Sequence, residues 1–202
     1  MALTDEIYRW VSSMKCAHIS KNPNRIHFYH QTRKGTIAFY EGYILELSVE
    51  DCQSGQCPFY IHFAIQGKEQ AKGNIRLFFQ ALEGKGAGQE ALDRCAVRRM
   101  KPLKILVSCS CGITSSYFAL LMQESLNQAG AKITADAVGY TSVEEVGSRY
   151  DYILLAPQIG HMLPEFQEKY GDKVLAIDFM DFASRNVNHV LNLIAQKAGT
   201  AA

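Results

Sequence analysis

Two different patterns of apolar residues follow one another along the chain. In the first half, short aromatic and β-branched runs alternate with polar residues, and glycine or polar turns separate the runs. Alternation with a period of two is typical of strands buried on one face, so these runs predict an antiparallel meander sheet. Apolar positions at helical spacing over residues 7–14 and 75–82 predict a helix before the sheet and another after it. The first half is therefore expected to be an α+β domain.

The second half has compact apolar runs that alternate with helical patterns. The runs lie at residues 105–107, 132–138, 152–156 and 173–177. Because strands that alternate with helices form a parallel sheet with helices on both faces, we expect an α/β domain with a doubly wound four-stranded parallel sheet. Ligands bind at the carboxyl ends of the strands in such sheets. The loops that begin at Cys109, Pro157 and Asp178 should therefore meet at one edge.

A glycine-rich stretch and a basic stretch separate the two patterns. Glycine recurs between residues 84 and 88, and Arg98, Arg99 and Lys101 precede the first strand of the second half. Such shifts in composition mark domain boundaries, and we place the boundary at residue 100. A short helix is predicted over residues 90–97. The sequence thus predicts an α+β domain at residues 1–100, with a binding or regulatory role that it does not specify, and an α/β domain at residues 101–202.

Composition and charge exclude several classes of protein. The chain of 202 residues is 48% hydrophobic and 20% charged, which is ordinary for a soluble globular protein. A net charge of +1 gives no broad field for nucleic acid or an anionic membrane, so we expect no nucleic-acid partner. No apolar run approaches the roughly 20 residues of a membrane helix, and the N-terminus lacks the basic and apolar parts of a signal peptide. We predict a cytoplasmic protein.

The cysteines indicate free thiols rather than a disulfide framework or a metal centre. The chain has 6 cysteines, and the spacing of Cys52 and Cys57 has no second pair that would complete a zinc site. Thiols stay reduced in the cytoplasm. We therefore expect no metal and no cofactor, and we expect one of the thiols to be reactive.

Cys109 is the strongest candidate for that reactive thiol. It ends a predicted strand and is followed by a loop of small and hydroxyl residues and then by a helix. Backbone N–H groups at the start of a helix have no partner within the helix and carry the positive end of its dipole, so they attract anions. A cysteine at such a position is favoured as the thiolate. The pattern predicts a cysteine that meets a phosphate.

Two loops of the second half resemble those of a known family. Residues 109–116 read Cys-Ser-Cys-Gly-Ile-Thr-Ser-Ser, residues 154–163 read Leu-Leu-Ala-Pro-Gln-Ile-Gly-His-Met-Leu, and residues 176–178, Ala-Ile-Asp, are a weaker third match. In order and spacing these segments are similar to motifs of the lactose/cellobiose-type IIB component of the bacterial phosphoenolpyruvate-dependent sugar phosphotransferase system. The resemblance covers residues 103–198. It implies the fold that IIB proteins share with low-molecular-weight phosphatases.

The resemblance also implies an activity and its partners. Cys109 would accept a phosphoryl group from a phosphohistidine of a IIA protein and pass it to a sugar at the membrane component IIC. The chain would then be a protein-N(π)-phosphohistidine:sugar phosphotransferase. Donors around the phosphoryl oxygens would come from the loop that consists of Ser110, Cys111, Gly112, Ile113, Thr114, Ser115 and Ser116. The matched loops after the other strands add the supporting residues Pro157, Gln158, His161 and Asp178.

Some positions depart from the family pattern. Cys111 stands where the family usually has a small residue, and it is either an inert small side chain, a disulfide partner of Cys109 or a group that tunes the thiol under oxidation. Ile113 replaces a methionine, and Ala156 replaces a glycine. The family often has Tyr-Gly after the aspartate, whereas residues 181–183 are Asp-Phe-Ala. That third loop is therefore not transferred from the family.

The sequence leaves two interpretations open for each of the supporting side chains. His161 is a phosphate or docking residue, or a surface residue; Gln158 bonds the phosphate loop, or fills a turn. Asp178 orients the loop, or caps a strand end. In the first half, His27 and His30 with Cys16 and His18 are a phosphoryl relay or metal set, or solvated strand residues.

Two other functions compete with the carrier. Low-molecular-weight phosphatases and arsenate reductases have a similar cysteine loop, but they need an arginine in it to hold the phosphate, and no arginine occurs at residues 109–117. The second alternative is a non-transport regulator in which phosphorylation of the IIB-like domain changes the state of the first domain.

Overall fold

The computed structural model describes residues 3–15, 17–19, 22, 24–85, 90–110 and 112–200. Within it the chain forms two compact units, Met1–Gly88 and Gln89–Ala202, which we call unit 1 and unit 2.

Unit 1 is a meander sheet with a helix at each end of its sequence. Its elements are α1 (Leu3–Ser12), β1 (His18–Ile19), β2 (Arg25–His30), β3 (Arg33–Tyr40), β4 (Ile44–Asp51), β5 (Phe59–Ala64) and α2 (Lys68–Leu82). The strands pair antiparallel in the order β1-β2-β3-β4-β5. The predicted antiparallel meander is confirmed, and the two-residue strand β1 is an addition to it.

The core of unit 1 lies between one face of the sheet and the helices. Alternate strand residues such as Ile37 and Leu47 are fully buried, and Phe78 of α2 packs against the same face. Gly35 makes this packing possible because a Cβ at that position would lie 2.5 Å from Cζ of Phe78. The helix therefore rests directly on the backbone of β3.

Unit 2 alternates strands and helices. Its elements are α3 (Arg94–Arg99), β6 (Leu103–Cys109), α4 (Ile113–Ala129), β7 (Ile133–Gly139), α5 (Val143–Val146), β8 (Tyr152–Leu155), α6 (Leu163–Tyr170), β9 (Val174–Ala176), α7 (Phe179–Ser184) and α8 (Val187–Thr200). All four strands are parallel, in the order β7-β6-β8-β9. This order confirms the predicted doubly wound parallel sheet. Since β7 and β8 pair with opposite sides of β6, the strand order reverses at β6. The loop after β6 therefore lies at the point where ligands usually bind in such sheets.

The predicted helix over residues 90–97 is wrong in its first half. Residues 90–93 are not helical, and α3 begins only at Arg94, where Oδ1 of Asp93 accepts a hydrogen bond from Ala96 N at 2.9 Å. Side chains of α8 and its N-terminal flank hold this segment: Glu90 N donates to Asn186 Oδ1 at 3.1 Å, and Asp93 N donates to Asn192 Oδ1 at 2.9 Å. These tertiary hydrogen bonds override local helix propensity.

The same contacts place residues 90–100 with unit 2. The division by contacts falls at Gly88, ahead of the boundary that the sequence analysis set at residue 100. Arg98 and Arg99 lie in α3, which packs against α8, and Lys101 lies between α3 and β6. The structure also contains α7, a helix of six residues that the sequence analysis did not predict.

Candidate functional site

Cys109 lies at the carboxyl end of the central strand β6, facing the start of α4. Its side chain has no exposed surface. Gly112 N–H donates to the sulfur at 3.1 Å, and the Thr114 hydroxyl donates to it at 3.4 Å. The thiol in turn donates to Ser115 Oγ at 3.2 Å, and that hydroxyl donates to Gly112 O at 3.0 Å. The sulfur therefore sits in a shell of hydrogen-bonding groups from the first turn of the helix.

This arrangement favours negative charge at the sulfur. Two donors already point at it, and the Ser115 hydroxyl can turn from Gly112 O to the sulfur when the thiol loses its proton. The 17-residue helix α4 adds the positive end of its dipole. The same groups that stabilise a thiolate can donate to the oxygens of a phosphoryl group on it.

Gly112 gives the loop its shape. Its backbone is left-handed, with φ of 85°, a conformation that glycine adopts without steric cost. A Cβ there would lie 3.1 Å from Gly139 N, at the end of the neighbouring strand β7. Both the conformation and the close approach require glycine, and both place its N–H on the sulfur.

The remaining residues of the predicted loop have different surroundings. The Ser116 hydroxyl donates to Gly112 O at 2.7 Å and so braces the loop rather than contacting the sulfur. Ser110 is exposed, and the side chain of Ile113 is 75% exposed at the surface. Cys111 lies outside the described residues, so its three interpretations stay open.

Gln158 is buried beside this loop with its amide unsatisfied. Ala156 N donates to Ser108 O at 2.8 Å, so the segment from Pro157 packs against the end of β6. The side chain of Gln158 is buried, and neither Oε1 nor Nε2 has a hydrogen-bond partner in the described part of the chain. A buried amide without partners costs free energy, on the order of 1–3 kcal/mol. The Gln158 amide can therefore still donate and accept hydrogen bonds at the carboxyl edge of the sheet.

The other two supporting residues occupy different positions. Asp178 caps α7, because its Oδ1 accepts hydrogen bonds from Met180 N at 2.7 Å and Asp181 N at 3.4 Å. His161 is exposed in the 3₁₀ segment Pro157–Met162 that follows β8. The carboxyl ends of β6, β8 and β9 bring these loops to one edge of the sheet, as the strand order requires.

A polar cluster that the sequence patterns do not predict lies between α7 and α8. Asp181 is buried; its Oδ2 lies 2.7 Å from His189 Nδ1, and its Oδ1 accepts from Asn186 Nδ2 at 3.1 Å. The hydrogen bond to Asp181 raises the pKa of His189 above its ordinary value. Glu90 adds a further carboxylate, with Oε2 3.9 Å from His189 Nε2. The sequence does not predict this cluster, because Asp181 and His189 meet through the packing of α7 and α8 and Glu90 is distant in the sequence.

Arg185 is the second group that the sequence analysis missed. It follows α7, and its guanidinium carbon lies 5.5 Å from the ring centroid of Tyr117 on α4. An arginine is thus present beside the helix that follows Cys109, although none occurs within the loop itself.

Two of the histidines singled out in unit 1, His18 and His27, are cross-strand partners of β1 and β2. His27 Nδ1 lies 3.0 Å from Thr36 Oγ1 across the strands, and burial lowers the pKa of this histidine. The ring of His18 packs edge-on against Tyr29, and His30 is exposed. Cys16 lies outside the described residues. Among the residues that the structure describes, no three His, Cys, Asp or Glu side chains are grouped to hold a metal ion.

Helices that could cross a membrane are absent from the described residues, since none is both long and apolar enough.

A parallel α/β unit with a cysteine loop at the carboxyl edge of its sheet is typical of domains that bind phosphate groups. Comparison with known proteins shows which family of such domains unit 2 resembles. Residues 104–193 match the family model of the lactose/cellobiose-specific IIB subunit of the PTS system. The oligo-β-mannoside-specific EIIB component of Bacillus subtilis strain 168 is 30% identical over 82 residues, which are 39% of this chain and 80% of that protein.

Two solved structures are also similar. The lactose-specific IIB component domain of the phosphoenolpyruvate:carbohydrate phosphotransferase system from Streptococcus pneumoniae is 26% identical, with a TM-score of 0.43 over 48% of this chain and 97% of that one. The cellobiose-specific IIB component from Borrelia burgdorferi is 27% identical, with a TM-score of 0.40 over 48% of this chain and 90% of that one.

The chain belongs to the lactose/cellobiose-specific IIB family of the sugar phosphotransferase system. This confirms the family that the two loop motifs predicted. Unit 2 is therefore a component of a sugar phosphotransferase, a system in which IIB components work with IIA and IIC partners. The family model begins at residue 104 and does not describe unit 1.

Proposed function

We propose that Cys109 accepts a phosphoryl group from a phosphohistidine of a IIA protein and passes it to a sugar at a IIC component. The observation that carries this proposal is the set of donors from the first turn of α4, with Gly112 N–H 3.1 Å and the Thr114 hydroxyl 3.4 Å from the sulfur. Donors fixed in this way stabilise first the thiolate and then the phosphoryl oxygens.

The transfer consists of two substitutions at phosphorus. The Cys109 thiolate attacks the phosphorus in line; the S–P bond forms as the N–P bond breaks, and the electron pair stays on the donor imidazole, which takes a proton. A sugar hydroxyl then attacks the same phosphorus and loses its proton, and the electron pair of the S–P bond returns to the sulfur. Thiolates leave readily, which suits a carrier. No resident cofactor or metal is required.

The loop residues have separate roles in this proposal. Gly112, Thr114 and Ser115 contact the sulfur and would donate to the phosphoryl group. Backbone N–H groups of Ser110 and Ile113 would be further donors to the phosphoryl group, Cys111 is assigned to the same loop by the family resemblance alone, and Ser116 braces the turn. Gln158, which follows Pro157 beside β6, would form hydrogen bonds through its amide with the phosphorylated loop. Asp178 would fix the turn at the start of α7.

The surface next to the loop suits a protein donor. Ile113, Tyr117 and Leu120 are 75%, 51% and 53% exposed. Their spacing puts them on one face of α4, which begins at the reactive loop. Because this face begins at the loop that holds Cys109, we propose it, together with exposed His161, as the contact for IIA. We propose that these encounters occur in the cytoplasm.

Phosphorylation by purified components tests the proposal. The full chain is incubated with phosphoenolpyruvate, the general phosphotransfer proteins and a IIA protein, and its intact mass is measured. We expect a gain of one phosphoryl group that is lost in Cys109→Ser. Cys95→Ser is the matched control, because Cys95 is exposed on α3 and should leave the gain unchanged.

Two results would contradict the carrier. One is a parent chain that gains no phosphoryl group from any phosphorylated IIA, and the other is a gain that survives Cys109→Ser. Hydrolysis of an aryl phosphate by the chain alone would favour the phosphatase interpretation instead.

A further inference from the structure

The reactive loop carries no positive side chain of its own. Residues 109–117 include neither lysine nor arginine, so a phosphoryl group on Cys109 would meet only N–H groups, hydroxyls and the helix dipole within the loop. Phosphoryl transfer spreads charge over three oxygens, and a guanidinium is the side chain that best matches such a group. A cation supplied from another part of the chain would complete the site.

Arg185 stands beside the helix that carries the loop. Its guanidinium carbon lies 5.5 Å from the Tyr117 ring centroid. Tyr117 is one turn beyond Ile113, about 6 Å along the axis, and helical side chains lean toward the helix N-terminus. The Tyr117 ring therefore leans toward the end of α4 that faces Cys109, and the guanidinium lies against that ring.

The turn that presents Arg185 is held firmly. Phe182 of α7 stacks on Phe118 of α4 with ring centroids 5.0 Å apart. The buried carboxylate of Asp181 binds Asn186 at 3.1 Å and His189 at 2.7 Å, so its two partners lie on the far side of Arg185 in sequence. The cluster that the sequence analysis missed thus serves as the support of this turn.

The backbone of Arg185 is unusual for its residue type. Its φ and ψ are 57° and 38°, a left-handed conformation in which a side chain is strained and glycine is not. The residue ends α7, with its N–H donating to Phe182 O at 3.3 Å. Strain at such a position indicates that the side chain has a use that glycine would not serve.

We infer that Arg185 is a catalytic residue of unit 2, whose guanidinium moves from the Tyr117 ring onto the oxygens of the phosphoryl group as it passes to Cys109. The inference rests on the proposed function. The guanidinium forms no covalent bond, and it neutralises charge while the N–P bond breaks and the S–P bond forms.

Transfer rates test the inference in the full chain. Phosphoryl gain from phosphorylated IIA is followed by rapid quench and intact mass for Arg185→Gln, Arg185→Lys and the parent. We expect at least about a tenfold loss of rate for Arg185→Gln and an intermediate rate for Arg185→Lys, which keeps the charge but not the planar fork. The control is Arg149→Gln, because Arg149 is exposed before the amino end of β8, at the opposite edge of the sheet. Its rate should equal that of the parent.

A further variant separates the chemistry from folding. Arg185→Gly relieves the left-handed backbone, so its thermal midpoint should equal or exceed that of the parent while its transfer rate falls as far as that of Arg185→Gln. In a second measurement, ³¹P NMR follows the ionisation of the phosphorylated cysteine. Loss of a cation in contact with the phosphoryl group should raise its second pKa in Arg185→Gln and not in Arg149→Gln.

The outcomes distinguish this inference from the proposed function. Equal transfer rates for Arg185→Gln and Arg149→Gln overturn the role of Arg185 while leaving the carrier intact. A slower rate with an unchanged ³¹P titration also overturns it, since the arginine would then touch the donor protein and not the phosphoryl group. A parent chain that is never phosphorylated overturns the proposed function itself.

Discussion

The two units place their titratable side chains in different kinds of position. In unit 2, Cys109 lies at the end of a parallel strand, where the first turn of a helix turns unpaired donors toward it. In unit 1, His27, Glu46 and Tyr60 lie within antiparallel strands and bond to neighbours across the sheet. His27 pairs with Thr36, and Tyr60 donates to Glu46 Oε2 at 3.1 Å.

The difference follows from how the two kinds of sheet pair their polar groups. An antiparallel meander pairs its backbone groups along each ladder, so polar side chains on its open face satisfy one another. Burial and the Glu46 carboxylate even raise the pKa of Tyr60 to about 12, which holds that hydroxyl in its neutral form. A parallel sheet with returning helices collects unpaired N–H groups at one edge, where they remain available for an anion.

The largest effect is expected from a single methyl group in the loop. In Gly112→Ala, the left-handed backbone and the contact with Gly139 N force the N–H away from the sulfur, and phosphoryl transfer should fall at least about a hundredfold. Gly42→Ala is the matched control in unit 1, because Gly42 has φ of 76° and open space around it. The control should lose about 1 kcal/mol of stability and no transfer activity. The rates of phosphoryl transfer to the two variants, followed by intact mass, test this expectation. Equal rates would refute the assigned loop geometry.

A methyl group in the core of unit 1 should act on stability alone. In Gly35→Ala the new Cβ meets the Phe78 ring at 2.5 Å, so we expect unit 1 to lose about 1–3 kcal/mol of unfolding free energy. Chemical denaturation measures the loss, and the transfer rate should stay at the parent value at low temperature. A large drop in transfer with unit 1 still folded would show that the units are coupled.

Hydroxyl deletions in the loop should have intermediate effects. Thr114→Val and Ser115→Ala each remove a group that hydrogen-bonds the sulfur, and each should slow phosphoryl gain about tenfold, as expected for a bond of about 1.5 kcal/mol to a charged group. Ser116→Ala is the control, because that hydroxyl bonds only to Gly112 O among the contacts described. A Ser116→Ala rate as low as the other two would mean that loop rigidity, not contact with the sulfur, sets the rate.

The smallest effects concern pH and have opposite signs in the two units. The pKa of His189 is raised by its hydrogen bond to Asp181, so its contribution to stability is complete below the unfolded value near 6.5 and is lost as pH rises through the folded pKa. The pKa of His27 is lowered by burial and by nearby Lys34 and Arg25, so unit 1 loses stability as pH falls from about 6.5 through its folded pKa.

NMR titration of the two imidazole rings measures these shifts directly. We expect the His189 midpoint above about 6.5 and the His27 midpoint below it. Both rings are partly exposed, so each stability change should stay under about 1 kcal/mol. In Asp181→Asn the His189 midpoint should fall toward the ordinary value, and an unchanged midpoint would contradict the assigned cause.

The reactive loop could be predicted from the sequence because its parts are neighbours in it. Cys109, Gly112 and Thr114 lie within six positions, and a strand followed by a helix fixes their geometry locally. The pairing of Arg185 with Tyr117 could not be predicted in this way, since α7 is a six-residue helix and joins α4 only through packing.

At residues 90–93 the sequence predicts a helix that the structure does not have. These residues favour a helix, but side chains from α8 and its flank bind their backbone and keep them from becoming helical. Propensity is a weak local preference, whereas these hydrogen bonds exist only once the fold has formed. The same reason explains why contacts extend unit 2 back to Gln89.

The complete burial of the Cys109 sulfur has a consequence for chemical labelling. Alkylating and oxidising reagents act on accessible thiols, and Cys52 and Cys95 are the exposed ones among the free cysteines described. Among the free cysteines described, Cys109 is the buried one, so labelling of the folded protein should modify it after Cys52, Cys57 and Cys95. The same burial shields the thiol from oxidants, and under the proposed function the sulfur has to become exposed before a donor phosphohistidine can reach it.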